Sequence, residues 1–325
     1  TGRPVLEIQG GLCTVQTLLF AGETPGGVST VWVNGGTLRH LATTDTSVRL
    51  GNSGGEGILR VSSGVAELAK DIILAAGGAN STGTVELAGG TLIANNIYEG
   101  STSGISRVIF NGGVFRPKGG GMSGLDSAKI GDGPAIFDTS LYSGNGYNLA
   151  QALSGLAGTD GGLIKAGTNT LTVNAAMAYA GPTVVSGGVL RVQGSLPAAS
   201  ALTVVPGARL TVNNVNVKTV TVSGLTLGAA GNETPAELEF GVDSPNATND
   251  QIVVNGDVTA HRAAVSLYWQ SSQTDNIVAN GSYVLLRWTG SGPVSADAFS
   301  IANPQPGKQY IFSIVGQSLR VQVGA

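Results

Sequence analysis

One pattern recurs along this chain and limits what it can become: a few residues alternating apolar and polar, a Gly-Gly or similar turn, then alternation again. It reads Val31-Trp-Val-Asn-Gly-Gly-Thr-Leu38, Leu59-Arg-Val-Ser-Ser-Gly-Val-Ala66, Val85-Glu-Leu-Ala-Gly-Gly-Thr-Leu92 and Val108-Ile-Phe-Asn-Gly-Gly-Val-Phe115. It returns as Val184-Val-Ser-Gly-Gly-Val-Leu190 and Val204-Val-Pro-Gly-Ala-Arg-Leu210. The second turn glycine falls at 36, 64, 90, 113, 188 and 207, so the intervals run 28, 26, 23, 75 and 19, and 75 is three repeats of 25. Such a period suits one coil of a solenoid and is too short for a propeller blade of about 40–45 residues.

Alternation over four to six residues is the signal of a half-buried strand. Helical spacing never extends far; its best stretch is Leu149–Leu156, where a glycine limits a helix to about two turns. Leucine-rich and ankyrin arrays need a helix in every repeat, so they are excluded. An all-β fold, a parallel β-helix or β-solenoid, remains. Inward side chains at alternate positions build an apolar column, glycines supply the corners, and outward positions need only be small and polar. Stacking at about 4.8 Å per coil predicts a rod on the order of 50–60 Å from roughly ten to thirteen coils.

Composition agrees. Of 325 residues only 37 are charged, while 51 are glycine. The net charge of -3 and the lack of a Lys/Arg stripe argue against nucleic acid as partner. No apolar run approaches the length of a membrane-spanning helix, and glycine lacks the strict period of collagen. The single cysteine, Cys13, allows no intrachain disulfide and reads as a small buried hydrophobe in a strand. The chain starts at Thr1 without a methionine, which fits removal of a leader and an arbitrary cut of a longer chain equally well; a removed leader is the expectation adopted for an exported protein. Residues 1–239 hold 43 glycines and 240–325 only 8, but the latter hold 8 of the 17 aromatics. This suggests solenoid repeats over 1–235 and a glycine-poor, aromatic-richer C-terminal end over 236–325, further coils or a cap. Strands are expected there at Glu237–Val242, Gln251–Val254, Ala264–Trp269, Tyr283–Trp288, Tyr310–Val315 and Leu319–Val323.

The densest stretch runs Gly161-Gly-Leu-Ile-Lys165-Ala-Gly167-Thr-Asn-Thr170-Leu171-Thr-Val173 and on through Tyr179-Ala-Gly181-Pro-Thr183-Val-Val185-Ser-Gly-Gly188-Val-Leu190. It resembles the passenger-associated transport repeat, also called the autotransporter-associated β-strand repeat, of bacterial surface proteins. Lys165, Gly167, Leu171, Tyr179, Gly181, Thr183, Val185, Gly188 and Leu190 stand where that pattern puts them, whereas Ala175 and Met177 depart from its usual Gly and Asn. The resemblance implies a right-handed β-helix, exported and displayed outside the cell. No β-barrel translocator follows in the sequence, which suggests that it was removed or that the chain resembles barrel-less relatives secreted by another route.

Catalytic and metal signals are thin. Gly51-Asn-Ser53-Gly-Gly55 fits the nucleophile-elbow pattern, but that motif needs a strand–turn–helix and a histidine base, and the chain has only His40 and His261. Gly119-x-Gly121-x-x-Gly124 lacks the βαβ unit of a dinucleotide site. Asp126, Asp132 and Asp138, evenly spaced, are candidates either for paired carboxylates of glycosidase type or for turn caps, the latter being the commoner use in glycine-rich loops. Trp32, Trp269 and Trp288 could stack on sugars; their alternating strands favour a packed role. Asn80, Asn232, Asn246 and Asn280 begin N-x-S/T triplets and read as exposed loops. No metal motif and no cofactor site is expected.

The expected function is therefore a non-catalytic extracellular structural protein. A β-helix leaves unpaired backbone groups on its terminal coils, which template further strands. Val5, Leu6 and Ile8 near one terminus and Leu319, Val321 and Val323 near the other are the expected self-association residues, joining copies head to tail into a filament. The alternatives are a monomeric adhesin passenger, with surface glycans as its partner, and a polysaccharide-active β-helix enzyme.

Overall fold

The computed structural model describes residues 3–17, 19–41, 47–212, 216–245, 249–270, 272 and 274–325. They form strands and turns, with two 3₁₀ turns (Thr139–Leu141 and Ala296–Ala298) and no α-helix among the described residues. The fold is all-β, a β-solenoid of stacked parallel strands. Contacts divide the chain into two compact units, 1–181 and 182–325.

In the first unit each coil supplies three strand positions. At the first, Val31 pairs with Leu59, Leu59 with Val85, Val85 with Val108 and Val108 with Ala128. At the second, Leu38, Ala66, Leu92, Phe115 and Phe137 follow one another in register. At the third the line is Val48, Ile72, Ile97, Met122, Leu149 and Val173. All these side chains are buried. Removing each from water stabilises the fold by about 1.5–3 kcal/mol for the larger ones. The register repeats the spacing of the glycine turns: Leu38, Ala66, Leu92 and Phe115 stand as far apart along the chain as Gly36, Gly64, Gly90 and Gly113. The long interval after Gly113 is not cut evenly, for a short coil carries Val114 to its partner Ile136 and a longer one carries Ile136 to Ile164.

The Gly-Gly turns stack on one corner of these coils. A Cβ on Gly36 would lie 2.8 Å from the backbone of Gly10, one on Gly90 would lie 2.7 Å from the carbonyl oxygen of Gly64, and one on Gly64 would run into the carbonyl of Gly36. Glycine recurs there because successive backbones touch where a side chain would have to be. On the outside, opposite charges sit in register: Arg39 pairs with Glu67 at 2.9 Å across neighbouring coils.

The two-turn helix over 149–156 is not formed. Leu149 ends the strand Tyr147–Leu149 and Leu153 opens Leu153–Gly155. The two leucines point inward in different ladders, Leu149 beside Val173 and Leu153 beside Ala128. Their helix-like spacing comes from a corner between two strands.

In the second unit all six strands expected over 236–325 are present, in Ala236–Val242, Gln251–Val254, Ala263–Trp269, Gly281–Trp288, Gln309–Ile314 and Ser318–Gly324, although Val315, expected in the fifth, lies in the turn that follows it. Val220, Ile252 and Leu286 form one buried line, and Leu210, Leu238 and Val265 another. Pairing changes sense at the last strands. Gly281–Trp288 runs parallel to Gln251–Val254 but antiparallel to Ser318–Gly324, which is itself antiparallel to Gln309–Ile314. A β-bulge at Leu285 shifts the register between Val284 and Leu286.

Candidate functional site

The residues expected to mediate self-association fall into two groups. Val5 and Leu6 are 56% and 46% exposed, whereas Ile8 is buried. Their strand, Val5–Ile8, pairs on one side with Val28–His40 and with no other described residue. Leu319, Val321 and Val323 are fully buried, because Ser318–Gly324 lies between two strands with these side chains facing the core. One edge of that sheet is Gln309–Ile314, where Ile311 is 59% exposed; Thr219–Val222 is the other. Alternation at 319–323 cannot distinguish a further parallel coil from the return arm of a hairpin. Gly316 carries the distinguishing signal: its φ of 57° at the first central position of a two-residue turn between Val315 and Ser318 is what a II′-type hairpin needs.

Around Lys165 the structure gathers a dense polar cluster. Lys165 follows Phe115 and Phe137 in the inward ladder and is completely buried, a cation in a column of apolar side chains. Its Nζ donates to the carbonyls of Ala166 at 2.7 Å and Gly167 at 3.0 Å. Burial lowers its pKa from 10.5 to about 8, and the Asp138 carboxylate opposes that shift. Asp138 caps the 3₁₀ turn through Ser140 N (2.9 Å) and pairs with Arg116 (3.0 Å). Burial raises its pKa, but the Ser140 hydrogen bonds and the Arg116 and Lys165 charges outweigh this and hold it below the usual carboxylate range. From the next coil Asn169 donates to the carbonyls of Tyr142 (2.6 Å) and Thr139 (3.1 Å), while Thr139 Oγ1 donates to Asn169 O at 2.7 Å. Gly167, at φ 77°, fits against this turn: a Cβ there would meet Asp138 Oδ1 and lie 2.5 Å from Ser140 N. The Lys-x-Gly-x-Asn run is thus a clasp between successive coils, built from polar groups that all have structural work.

Asp126, Asp132 and Asp138 do not converge. Asp126 accepts from Ser106 N at 2.8 Å, Asp138 serves the clasp, and Asp132 lies exposed in a turn. Glu99 carried no signal in the sequence: burial and the neighbouring Asp126 charge raise its pKa above the usual carboxylate value, against a Ser106 hydrogen bond that lowers it. The stretch Gly51–Gly55 is a tight turn between the strands Val48–Leu50 and Glu56–Leu68, without a helix. His40 is buried against the Thr17 carbonyl at 2.7 Å. Gly121 opens a short strand, not a helix. Among the tryptophans only Trp288 is buried; Trp32 is half-buried with its indole N–H on Ser62 Oγ, and Trp269 is 43% exposed with its own on Asp243. Cys13 lies in the strand Leu12–Val15 and is half-buried. Asn80, Asn232 and Asn280 are exposed; Asn246 lies outside the described residues. Among the described residues no group of three or more His, Cys, Asp or Glu could hold a metal, and no helix is long and apolar enough to cross a membrane.

Three-strand coils with inward apolar ladders, a glycine corner and a polar inter-coil clasp define a parallel β-solenoid. Within it, residues 163–192 match the family model described as the passenger-associated-transport-repeat, so the chain carries an autotransporter passenger-type repeat. Neither the comparison with curated proteins nor that with solved structures gave a match.

Proposed function

We propose that this chain is an exported, non-catalytic structural solenoid whose copies join through unpaired strand edges into an extracellular filament. The observation carrying this reading is that strands at both ends of the chain are paired on one side only and expose apolar side chains: Val5–Ile8 and Leu12–Val15, with Val5, Leu6 and Leu12 exposed, and Gln309–Ile314, with Ile311 exposed. Long apolar edges with free N–H and C=O groups are templates for strand addition. Leu319, Val321 and Val323 act from inside, holding the edge strand flat against the core, while contact falls to Ile311 and its neighbours. The passenger-type repeat at 163–192 supports export and surface display. A structural role is supported by the engagement of Asp126 and Asp138 in caps and clasp. Negative-stain electron microscopy over a concentration series tests the proposal: fibres that lengthen with concentration support it, and dispersed particles throughout refute it.

A monomeric displayed adhesin is the second reading. It is favoured by the hairpin of Gln309–Ile314 and Ser318–Gly324, which occupies with the chain's own residues an edge that a partner copy would otherwise take.

A further inference from the structure

The outward face of the last sheet holds a cleft of about 430 Å³ that neither the solenoid nor the proposed assembly uses. That volume falls within the usual range of small-ligand sites, about 300–1,000 Å³. Arg287 and Arg320 line it together with Gln317, between walls made by Val253, Val315 and Trp288. Arg287 projects from Gly281–Trp288 and Arg320 from the adjacent antiparallel strand, where Arg287 faces Ser318 and Arg320 faces Val284. The bulge at Leu285 lies between these two register points, and bulges commonly re-aim side chains beside binding sites.

The charge of this cleft is unbalanced. No acidic residue lines it, and among the described residues neither arginine is in an ion pair, as is also true of Arg3, Arg49, Arg107 and Arg191; what sets Arg287 and Arg320 apart is that they line one cleft together. Arg320 Nε is buried without a hydrogen-bond partner among the described residues, and Arg287 Nε reaches only the Gln251 amide oxygen, at 3.2 Å. Two like charges on neighbouring strands repel, and a buried donor left unpaired costs stability. In a chain with only 17 basic residues and net charge -3, a concentration of cations without counter-charge calls for an anion.

We infer that this cleft binds a carboxylate-bearing sugar, a hexuronate unit of an acidic polysaccharide. The planar carboxylate matches the guanidinium fork in two parallel hydrogen bonds. The Val253 and Val315 walls suit the C–H face of a pyranose ring, and the Gln317 amide, anchored by its donation to Thr289 O at 2.8 Å, presents its oxygen for a ring hydroxyl. No bond is made or broken; the cleft holds the sugar. This site operates in a fibre and in a monomer alike.

Isothermal titration of the whole chain with a galacturonate oligomer, a neutral galactose oligomer, a sulfated oligosaccharide and oligoglutamate tests the assignment. The galacturonate oligomer should bind, weakening as salt rises, and the others at least about 10-fold less well. Arg320→Gln and Arg287→Gln should each weaken galacturonate binding about 10-fold or more with circular dichroism unchanged. If the half-buried Arg320 variant misfolds, the exposed Arg287 variant decides alone. Absence of galacturonate binding, equal affinity for the neutral oligomer, the sulfated sugar or oligoglutamate, or retained affinity in Arg287→Gln overturns the inference.

Discussion

Replacing Lys165 by methionine should change how stability depends on pH. The lysine is buried in the inward ladder behind Phe137, and its pKa falls from 10.5 to about 8. Below about pH 8 both the folded and the unfolded chain carry the proton, so the folded state bears the full cost of a buried cation. Between pH 8 and 10.5 the folded chain has released the proton and the unfolded chain still holds it. Unfolding then takes up a proton, and stability rises with pH. At about 1.4 kcal/mol per pH unit, the gain from pH 8 to 9.5 is about 2 kcal/mol. The buried phenols act the other way at higher pH. Burial raises the pKa of Tyr147 and pushes Tyr283 to about 12, so above pH 10 the unfolded chain loses protons that the folded one keeps, and stability falls. The informative window therefore ends near pH 9.5. Urea unfolding of the native chain and of Lys165→Met at pH 7, 8, 9 and 9.5 isolates the lysine, since every other group is common to both. The native chain should gain about 2 kcal/mol on the variant across the upper half of that range. Parallel curves, or a gap that widens towards pH 7 in favour of the native chain, would refute the idea that Lys165 is buried as a costly cation.

Gly167→Ala should cost about 3–5 kcal/mol in a urea titration, since the new Cβ meets Asp138 and Ser140 as well as straining φ; Gly11→Ala, at a similar φ of 67° but with open space around it, should cost only about 1–2 kcal/mol. Equal costs would show that the clasp does not press on Gly167. Phe137→Ala removes a buried ring lying 5.3 Å from Phe110 and 5.7 Å from Phe115, and should lower stability by about 3–5 kcal/mol, read from the unfolding midpoint. Ile311→Lys places a charge on the unpaired edge strand and should abolish fibres under electron microscopy while leaving the melting temperature within a few degrees.

The solenoid was legible because its two signals are local and repeated. Alternation marked the strands, and the spacing of Gly36, Gly64, Gly90 and Gly113 equalled the coil-to-coil register of Leu38, Ala66, Leu92 and Phe115. The false helix at 149–156 shows the limit: a corner joining two inward leucines has the same spacing as a helical turn. The closing hairpin was hidden for a related reason, since Leu319, Val321 and Val323 alternate alike in either strand direction. Gly316 was the only local clue to the turn. Lys165 was recognised only through the family pattern, although a lysine in an inward position already asks what satisfies its charge. Arg287 and Arg320 had no sequence signal, because their meeting depends on the hairpin and on the bulge at Leu285, neither of which periodicity records.

The stacked glycines also divide the first unit into places that can and cannot change. From Ile8 to Leu12, Val33 to Thr37, Val61 to Val65, Leu87 to Thr91 and Phe110 to Val114 the glycine corner has one fixed length. The corner that leads into the next coil does not: Leu74 to Thr82 is longer than Ser123 to Ser127. An epitope or enzyme loop inserted between the exposed Ala79 and Asn80 would leave in place the backbone bonds from Ala75 and Gly77 to the preceding coil and the buried Ser81, whereas a single residue added beside Gly90 would disturb the glycines stacked against it. The first unit is in this sense a scaffold with a fixed spine and writable tips.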